Sequence, residues 1–437
     1  MPEIKPRSTQ TKVKHTILKD YLKSWGGIII NGWRRNPNPL HLVYIDCNAS
    51  FGRYNGELED KVARRQIKPV FGSPIIGVEV LDELAAWVRE SVGIKIRTNT
   101  ILFEQERSIY NELKRSLEME GLARRVQESE DFFSLKDGEI AVLHKDSTLM
   151  TSKLIAYTQS GYTFSFFSID PYGPKGIPLS FVSEIVRQQK HDVIINVPYY
   201  DLHKKAGIVP KQNQLSSDEK LLQNYDDMFG NKEWQYIVKA LDTDPMREGQ
   251  EALYQETIEH NVSLSEKAIE AGNLELELMN CYKKSLLSVD PGLSVKSIGL
   301  NFPDRERRIY YLYLTTHDPT GALKMNEILW NAGFQEHELR WGLMELKKHG
   351  DQPSLPLFEY EAPVPQTPQR KSIEEIAKQI RTLFRGKIKT KKEIYTALAD
   401  EPYFNGEIDR ALTYLKRQNQ ASFDKDNGID TQIKILK

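Results

Sequence analysis

Four short apolar runs, separated by amphipathic segments, constrain the fold of this chain more than any other feature. Each run is apolar along its whole length, which indicates a strand buried on both faces. Because helical patterns lie between the runs, the sequence predicts an α/β fold with a mainly parallel sheet between two layers of helices. The four runs are His41–Asp46, Thr100–Glu104, Tyr162–Asp170 and Asp192–Val197.

Two further strand patterns, Val295–Leu300 and Arg308–Thr316, lie closer to the C-terminus. The short link between them, PDRER, suits an antiparallel pair, so we expect the parallel sheet to finish in an antiparallel hairpin. The segment before this hairpin, from about 201 to 291, is helical and polar in pattern. We interpret it as a helical insertion and not as more of the sheet.

The chain divides into three predicted parts. Residues 1–335 form the sheet domain with its insertion, and residues 336–370 form a helical extension and a linker, because 351–369 is rich in proline. Residues 371–437 combine three short amphipathic helices with a strand pair around Asn427-Gly428. That combination predicts a winged-helix domain.

Composition excludes several classes of protein. Sixty Lys and Arg residues against 61 Asp and Glu residues give a net charge of −1, so the total charge does not favour binding to a polyanion or an anionic membrane. With only Cys47 and Cys281 there is no disulfide scaffold, and no histidine pair has metal-ligand spacing, so we expect no metal site. The polar N-terminus and the lack of any apolar run of about 18 residues predict a cytoplasmic protein with no membrane partner.

Small residues follow the first apolar run, in the segment DCNASFG at 46–52. A nucleotide-like cofactor at the end of a strand needs a loop that lets the backbone approach closely, and an acid that accepts hydrogen bonds. Asp46, Ser50 and Gly52 are therefore candidate cofactor-binding residues, although an ordinary strand-to-helix turn uses the same residue types. Glu104, which closes the second run, is the candidate acceptor for ribose hydroxyls; the alternative is a solvated carboxylate at a strand end.

The third run ends in Asp170-Pro171-Tyr172-Gly173, the candidate catalytic segment. An enzyme that alkylates an exocyclic amine must orient the nitrogen and accept its N–H groups, and a carboxylate beside a proline-fixed carbonyl can do both while an aromatic ring stacks on the base. Positioning then supplies much of the catalysis. The same four residues also suit an ordinary turn, and Asn196-Val197-Pro198-Tyr199 is a weaker candidate of the same kind.

These segments and several further motifs follow one another along the chain, over roughly residues 13–335. The motifs are KHTIL at 14–18, YID at 44–46, FGRY at 51–54, GSP at 72–74, DPYG at 170–173 and TTH at 315–317. Together they resemble the three-Cys-motif partner family, TcmP, whose members are similar to class I S-adenosylmethionine methyltransferases. In those enzymes, too, a parallel sheet finishes in an antiparallel hairpin.

The resemblance implies S-adenosylmethionine as the cofactor and, as a partner, a separate three-cysteine protein similar to radical S-adenosylmethionine enzymes. The DPYG segment also resembles the Asp-Pro-Phe-Gly of transfer-RNA guanine-N2 methyltransferases, which indicates an exocyclic base nitrogen as the target. The chain departs from the family pattern Asp-x-Phe-Ala-Gly-x-Gly at two positions. Asn48 occupies the position of the aromatic residue, and Ser50 occupies the position of a glycine.

The leading hypothesis is a methyltransferase that acts on an exocyclic amine of a nucleic-acid base, with the winged helix positioning the nucleic acid. The alternative is a non-catalytic scaffold with a methyltransferase-like fold that binds its three-cysteine partner or nucleic acid, in a pathway such as antiphage defence. A nicotinamide-dependent dehydrogenase is a weaker third hypothesis, because the Gly-rich fingerprint of such enzymes is missing.

Overall fold

A computed structural model describes residues 4–66, 68–200, 202, 216–242, 274–303, 308–349, 370–423 and 428–436. Within these residues, an eight-stranded sheet has the strand order β5-β6-β4-β1-β7-β8-β10-β9, and β2 and β3 form a separate small pair. The strands are β1 Leu40–Asp46, β2 Arg53–Tyr54, β3 Val70–Phe71, β4 Ile96–Phe103, β5 Val126–Gln127, β6 Ile140–Leu143, β7 Thr163–Ile169, β8 His191–Val197, β9 Ser294–Asn301 and β10 Arg308–Thr316.

The sheet is parallel from β5 to β8, and β10 runs antiparallel to both of its neighbours, β8 and β9. The central strand β1 pairs in parallel with β4 and β7, and Asp46 lies opposite Leu102 on one side and Ser168 on the other. The predicted α/β class and the mainly parallel sheet are confirmed. Because the three strands run in one direction, the acids that follow them meet at one edge of the sheet.

Helices cover both faces of the sheet, and each layer buries its own apolar core. Helices α1, α3, α4 and α10 pack on one face, whereas α5 to α9 pack on the other. The helices are α1 Thr9–Trp33, α2 Leu58–Val62, α3 Ser73–Trp87, α4 Arg107–Met119, α5 Thr151–Thr158, α6 Leu179–Val186, α7 Ser216–Phe229, α8 Glu233–Asp242, α9 Leu274–Val289 and α10 Pro319–His349.

Helix α1 positions the N-terminal part of the chain over the sheet. Ser8 caps it by accepting a hydrogen bond from the Thr11 backbone N–H at 3.3 Å, which satisfies one free donor of the first turn. The buried face of the helix repeats at three- and four-residue steps and places the Trp25 ring against Phe166 of β7, with ring centroids 5.6 Å apart. This packing fixes the rotation of α1 on the face of the sheet.

The predicted insertion at 201–291 lies partly outside the described residues. Its described part consists of α7, α8 and α9, and their side chains complete the apolar layer on the second face. Trp234 and Tyr282 are fully buried, and the Tyr282 ring packs edge-on against Tyr313 of β10 at 5.0 Å. These helices therefore belong to the core of the sheet domain.

The C-terminal part contains helices α11 Ile373–Phe384, α12 Lys391–Leu398 and α13 Asn405–Arg417. Strands β11 Ile388–Thr390, β12 Ala421–Ser422 and β13 Gln432–Ile435 form an antiparallel sheet in the order β11-β13-β12. The predicted linker at 351–369 and Asn427 of the predicted turn lie outside the described residues. Helix α10 continues across the predicted boundary at 335, and its Asn326 amide donates to the carbonyls of Glu401 and Tyr403, at 2.8 and 2.9 Å.

None of the helices formed by the described residues is long and apolar enough to cross a membrane.

Two helical glycines provide a test of this packing. A Cβ atom added at Gly77 of α3 would lie 2.1 Å from the buried Tyr44 ring, whereas one added at Gly27 of α1 would meet nothing within 4 Å. We expect Gly77→Ala to lower the free energy of unfolding by about 1–3 kcal/mol through overpacking. The matched variant Gly27→Ala should leave it unchanged or raise it by up to about 1 kcal/mol. Thermal unfolding midpoints measure both, and equal midpoints for the two variants would contradict the α3–β1 packing.

Candidate functional site

A cavity of about 650 Å³ opens at the carboxyl edge of the sheet. The loops after β1, β4, β6, β7 and β8 line it, together with the N-terminal segment and the start of β10. Ligands of open α/β sheets bind at this edge, where loops from several strands converge. Of the predicted site residues, Ser50, Glu104, Asp170, Pro171 and Tyr172 line the cavity.

Asp46 lies beneath the cavity and does not line it. Its side chain is fully buried and accepts hydrogen bonds from the Tyr44 hydroxyl at 3.1 Å and from the Asn48 backbone N–H at 3.2 Å. Burial raises the pKa of this carboxyl to about 6, because the charged form loses its hydration. Asp46 therefore stabilises the conformation of the loop after β1.

Ser50 adopts the left-handed conformation, with φ at 54°, where a glycine costs least. This turn directs the Ser50 backbone N–H to Glu104 Oε2 at 3.1 Å. Gly52 also has a positive φ, 75°, and a Cβ atom there would lie 2.9 Å from Leu113 Cδ1. Gly52 thus packs the loop against α4 and is not a wall of the cavity.

Glu104 presents a fixed carboxylate to the cavity. Oε2 accepts the bond from Ser50, and Oε1 accepts a second one from the Glu106 backbone N–H at 2.8 Å. Burial raises the pKa of Glu104, although these backbone donors oppose the shift. A carboxylate has about four acceptor sites, so Glu104 can still accept a hydrogen bond from a hydroxyl group in the cavity.

Asp170, directly after β7, also lines the cavity and is held by three groups. Its Oδ1 accepts a hydrogen bond from Asn196 Nδ2 at 2.6 Å, and its Oδ2 forms an ion pair with Lys14 Nζ. Its backbone N–H donates to Asn48 Oδ1 at 3.1 Å, which ties the β7 loop to the β1 loop. Asn48, which occupies the position of an aromatic residue in the TcmP pattern, thus joins the loops after β1 and β7.

Of the three residues after Asp170, two line the cavity and one does not. Pro171 and Tyr172 line the cavity, and Tyr172 is 83% exposed, so its ring is free to stack on a planar group. Gly173 is extended and lies outside the lining. Gly176 is the glycine that close packing requires here, because a Cβ atom there would lie 2.5 Å from Pro171 Cβ.

Lys14, Tyr310 and Asn196 also line the cavity, although none of them is among the predicted cofactor-binding and catalytic residues. Lys14 reaches Asp170 from α1, and its Nζ lies 5.4 Å from the centroid of the Tyr310 ring of β10. Asn196 holds Asp170 from the end of β8 and was considered only as a weaker candidate. No local pattern connects Lys14 with Asp170, which lie 156 residues apart in the chain. Across the described part of the chain, no group of three His, Cys, Asp or Glu residues is placed to hold a metal ion.

The raised pKa of Asp46 predicts a pH-dependent stability. Between its ordinary pKa near 4 and the folded value of about 6, the folded state holds a proton that the unfolded state lacks, so stability falls as pH rises through this window. Asp46→Asn removes this penalty while its amide oxygen keeps the bond from Asn48. We expect the stability of the variant relative to the wild type to increase from pH 4.5 to pH 7.5, by on the order of 3 kcal/mol at most. Chemical unfolding at each pH measures the difference, and a constant difference would contradict the burial of a charged Asp46.

Comparison with known proteins gives little sequence similarity. No family model matches the chain, and no curated protein matches it. Among solved structures, the chain is similar to protein LPL1258 from Legionella pneumophila str. Philadelphia 1, described under the family model DUF519. The TM-score is 0.37 and the identity is 12%, over 76% of this chain and 93% of that one.

Proposed function

We propose that this protein is an S-adenosylmethionine-dependent methyltransferase that acts on an exocyclic amine of a nucleic-acid base. One observation carries the proposal: Glu104, Asp170 and Tyr172 line a single cavity at the carboxyl edge of the sheet. A carboxylate for a ribose, a carboxylate for an amine and an exposed ring for a base are the groups that such a reaction needs.

The strand order supports a Rossmann-like methyltransferase sheet. Six parallel strands are followed by β9 and by β10, which inserts between β8 and β9 in the opposite direction. Such a sheet, ending in an antiparallel hairpin, is the arrangement that the resemblance to the TcmP family implies. Fold alone does not set function, so the proposal depends on the residues at the edge of the sheet.

The cavity suits the cofactor in size and in chemistry. Its volume of about 650 Å³ lies within the usual range for small-molecule sites, about 300–1,000 Å³. Glu104 would hold the ribose hydroxyls with its remaining lone pairs, and the loop at Ser50 would lie against the cofactor. S-adenosylmethionine, when bound, supplies a methyl group on a positively charged sulfur.

The acceptor would bind at the Asp170 side of the cavity. Asp170 would accept an N–H of the exocyclic amine, and the carbonyl of Pro171 would accept the second N–H. Asn196 fixes the rotation of the Asp170 carboxylate, and Tyr172 would stack on the base. Catalysis in this scheme comes from positioning the amine, without a nucleophilic residue of the protein.

The C-terminal part would act as a winged helix that positions nucleic acid. Four lysines, Lys387, Lys389, Lys391 and Lys392, form a basic cluster in this part. Lys389 pairs with Glu393, and Lys391 pairs with Asp409. Lys387 and Lys392, which are exposed, are the members we assign to phosphates. The three-cysteine partner protein and a cytoplasmic location remain expectations from the sequence.

A specific observation favours the second candidate, a non-catalytic scaffold. Both carboxylate oxygens of Asp170 are already engaged by Lys14 and Asn196. A protein that only binds its three-cysteine partner or nucleic acid could retain such a closed arrangement as a structural feature. The two candidates differ in whether Asp170 is needed for a chemical step.

Methyl transfer can be measured on nucleic acid from cells that lack the protein. The purified chain, alone and with its three-cysteine partner, is incubated with isotope-labelled S-adenosylmethionine and either total RNA or denatured DNA, followed by nucleoside mass spectrometry. We expect a labelled base amine, and a loss of at least about 100-fold in rate for Asp170→Asn, because one positioned acceptor contributes on that scale.

The control is Asp290→Asn, at the amino edge of the sheet, where Asp290 contacts His317 at 3.2 Å. This variant should keep the wild-type rate. If neither the chain nor its complex labels any base, and if Asp170→Asn keeps full partner binding and biological effect, the scaffold replaces the enzyme as the function.

A further inference from the structure

The carboxylate that we assign to the acceptor amine is already bound to an ammonium group of the same chain. Lys14 Nζ forms an ion pair with Asp170 Oδ2 and lies over the Tyr310 ring, 5.4 Å from its centroid. The Lys14 side chain is only 13% exposed, and that of Asp170 is 30% exposed. The ammonium group therefore lies where the acceptor amine of the proposed function would bind.

This ammonium and an acceptor amine compete for one oxygen atom. Both donate N–H groups to a carboxylate, and the other oxygen, Oδ1, is occupied by Asn196 Nδ2 at 2.6 Å. Oδ2 keeps a second lone pair, so the competition is for space: the largely buried Lys14 side chain occupies the position beside Oδ2 that the amine would take, and the exchange requires Lys14 to leave it. A buried cation that leaves its carboxylate needs another anion close by, since an unpaired charge in such a place is costly.

The backbone of Lys14 is fixed, so only its side chain can make this exchange. The segment before α1 is held by backbone bonds from Arg7 N–H to the Gly56 carbonyl at 2.8 Å and from Leu58 N–H to the Arg7 carbonyl at 2.9 Å. The Arg7 side chain also pairs with Glu57. A lysine has four rotatable side-chain bonds, so its ammonium can swing while α1 remains in place.

A second cation lines the same cavity. Lys5 is exposed, lines the cavity with Lys14, and forms no ion pair with any residue that the structure describes. Lys145 also lines the cavity, but Glu130 neutralises it. Two lysine ammonium groups from the N-terminal segment, one free and one displaceable, suit a phosphate group.

From these contacts we infer that Lys14 exchanges Asp170 for a phosphate of the acceptor, so that the site admits a nucleotide and disfavours a free nucleoside. This inference rests on the proposed function and specifies its acceptor as a phosphorylated one. A nucleotide brings both the amine that replaces Lys14 on Asp170 and the phosphate that receives its ammonium. A nucleoside brings only the amine and leaves the displaced cation unpaired.

The test compares nucleosides with their 5′-monophosphates in equilibrium binding to the full chain. The probes are adenosine, guanosine and cytidine and their monophosphates, because these three bases carry an exocyclic amine. For at least one pair, we expect the wild type to bind the monophosphate at least about tenfold more tightly, the scale of one charge-assisted hydrogen bond. In Lys14→Met, the nucleoside should bind more tightly and the monophosphate more weakly, so that the ratio approaches one.

Two variants control for charge and for helix stability. Lys14→Arg keeps a displaceable cation and should keep the preference for the monophosphate. Lys12→Met removes the ammonium that lies 3.9 Å from Glu57 outside the cavity, and it should bind both probes as the wild type does. Thermal unfolding verifies that each variant is folded.

The inference is overturned if Lys14→Met weakens both probes equally, changes neither, or binds no nucleoside at all, since removal of the ammonium must open the site. Binding of S-adenosylmethionine, measured on the same samples, assesses the proposed function separately. If the cofactor binds and the nucleotide preference is absent, only the exchange at Lys14 is refuted. If the preference is present and the cofactor does not bind, only the methyl transfer is refuted.

Discussion

The parallel pairing of β1 with β4 on one side and with β7 on the other is the constraint on which the site depends. Because the registers place Asp46 opposite Leu102 and Ser168, all three strands end at nearly the same height. Glu104 and Asp170 follow their strands directly and therefore converge on one cavity. Any change that displaced β1 would separate these two carboxylates and alter the conformation of the loop after β1.

The strands and the edge at which their acids meet could be predicted from the sequence. An uninterrupted apolar run identifies a doubly buried strand, and parallel strands bring their carboxyl ends together. The direction of an individual side chain beyond the strand could not be predicted. Asp46 is the last residue of β1 and is packed beneath the loop, whereas Glu104 and Asp170 come one residue after their strands and reach the cavity.

Long-range contacts mark the limit of the sequence patterns. Lys14 belongs to α1, whose apolar residues repeat at three- and four-residue steps, and nothing in that pattern indicates which polar residue meets Asp170. Asn48 is a departure from a family motif, yet its amide oxygen receives the Asp170 backbone N–H at 3.1 Å. Gly52 fits a cofactor motif by sequence, although its positive φ and the nearby Leu113 show a packing role. These assignments depend on tertiary geometry, which local spacing does not contain.

The two carboxylates of the site, Glu104 and Asp170, have different surroundings. Glu104 is held by backbone donors on the first-loop side, and Asp170 is held by a lysine and an amide on the acceptor side. In the proposed function, the cofactor and the acceptor would bind to separate carboxylates within one cavity. The Lys14–Asp170 ion pair then occupies the position that the proposed acceptor would take.

Calorimetric titration of the folded chain with S-adenosylmethionine tests the central claim most directly. We predict saturable binding, about tenfold weaker in Glu104→Gln because a charge-assisted acceptor for the ribose is lost, and unchanged in the exposed neighbour variant Glu106→Gln. Absence of binding by the folded wild type, or equal affinities in all three proteins, would contradict a cofactor site at Glu104.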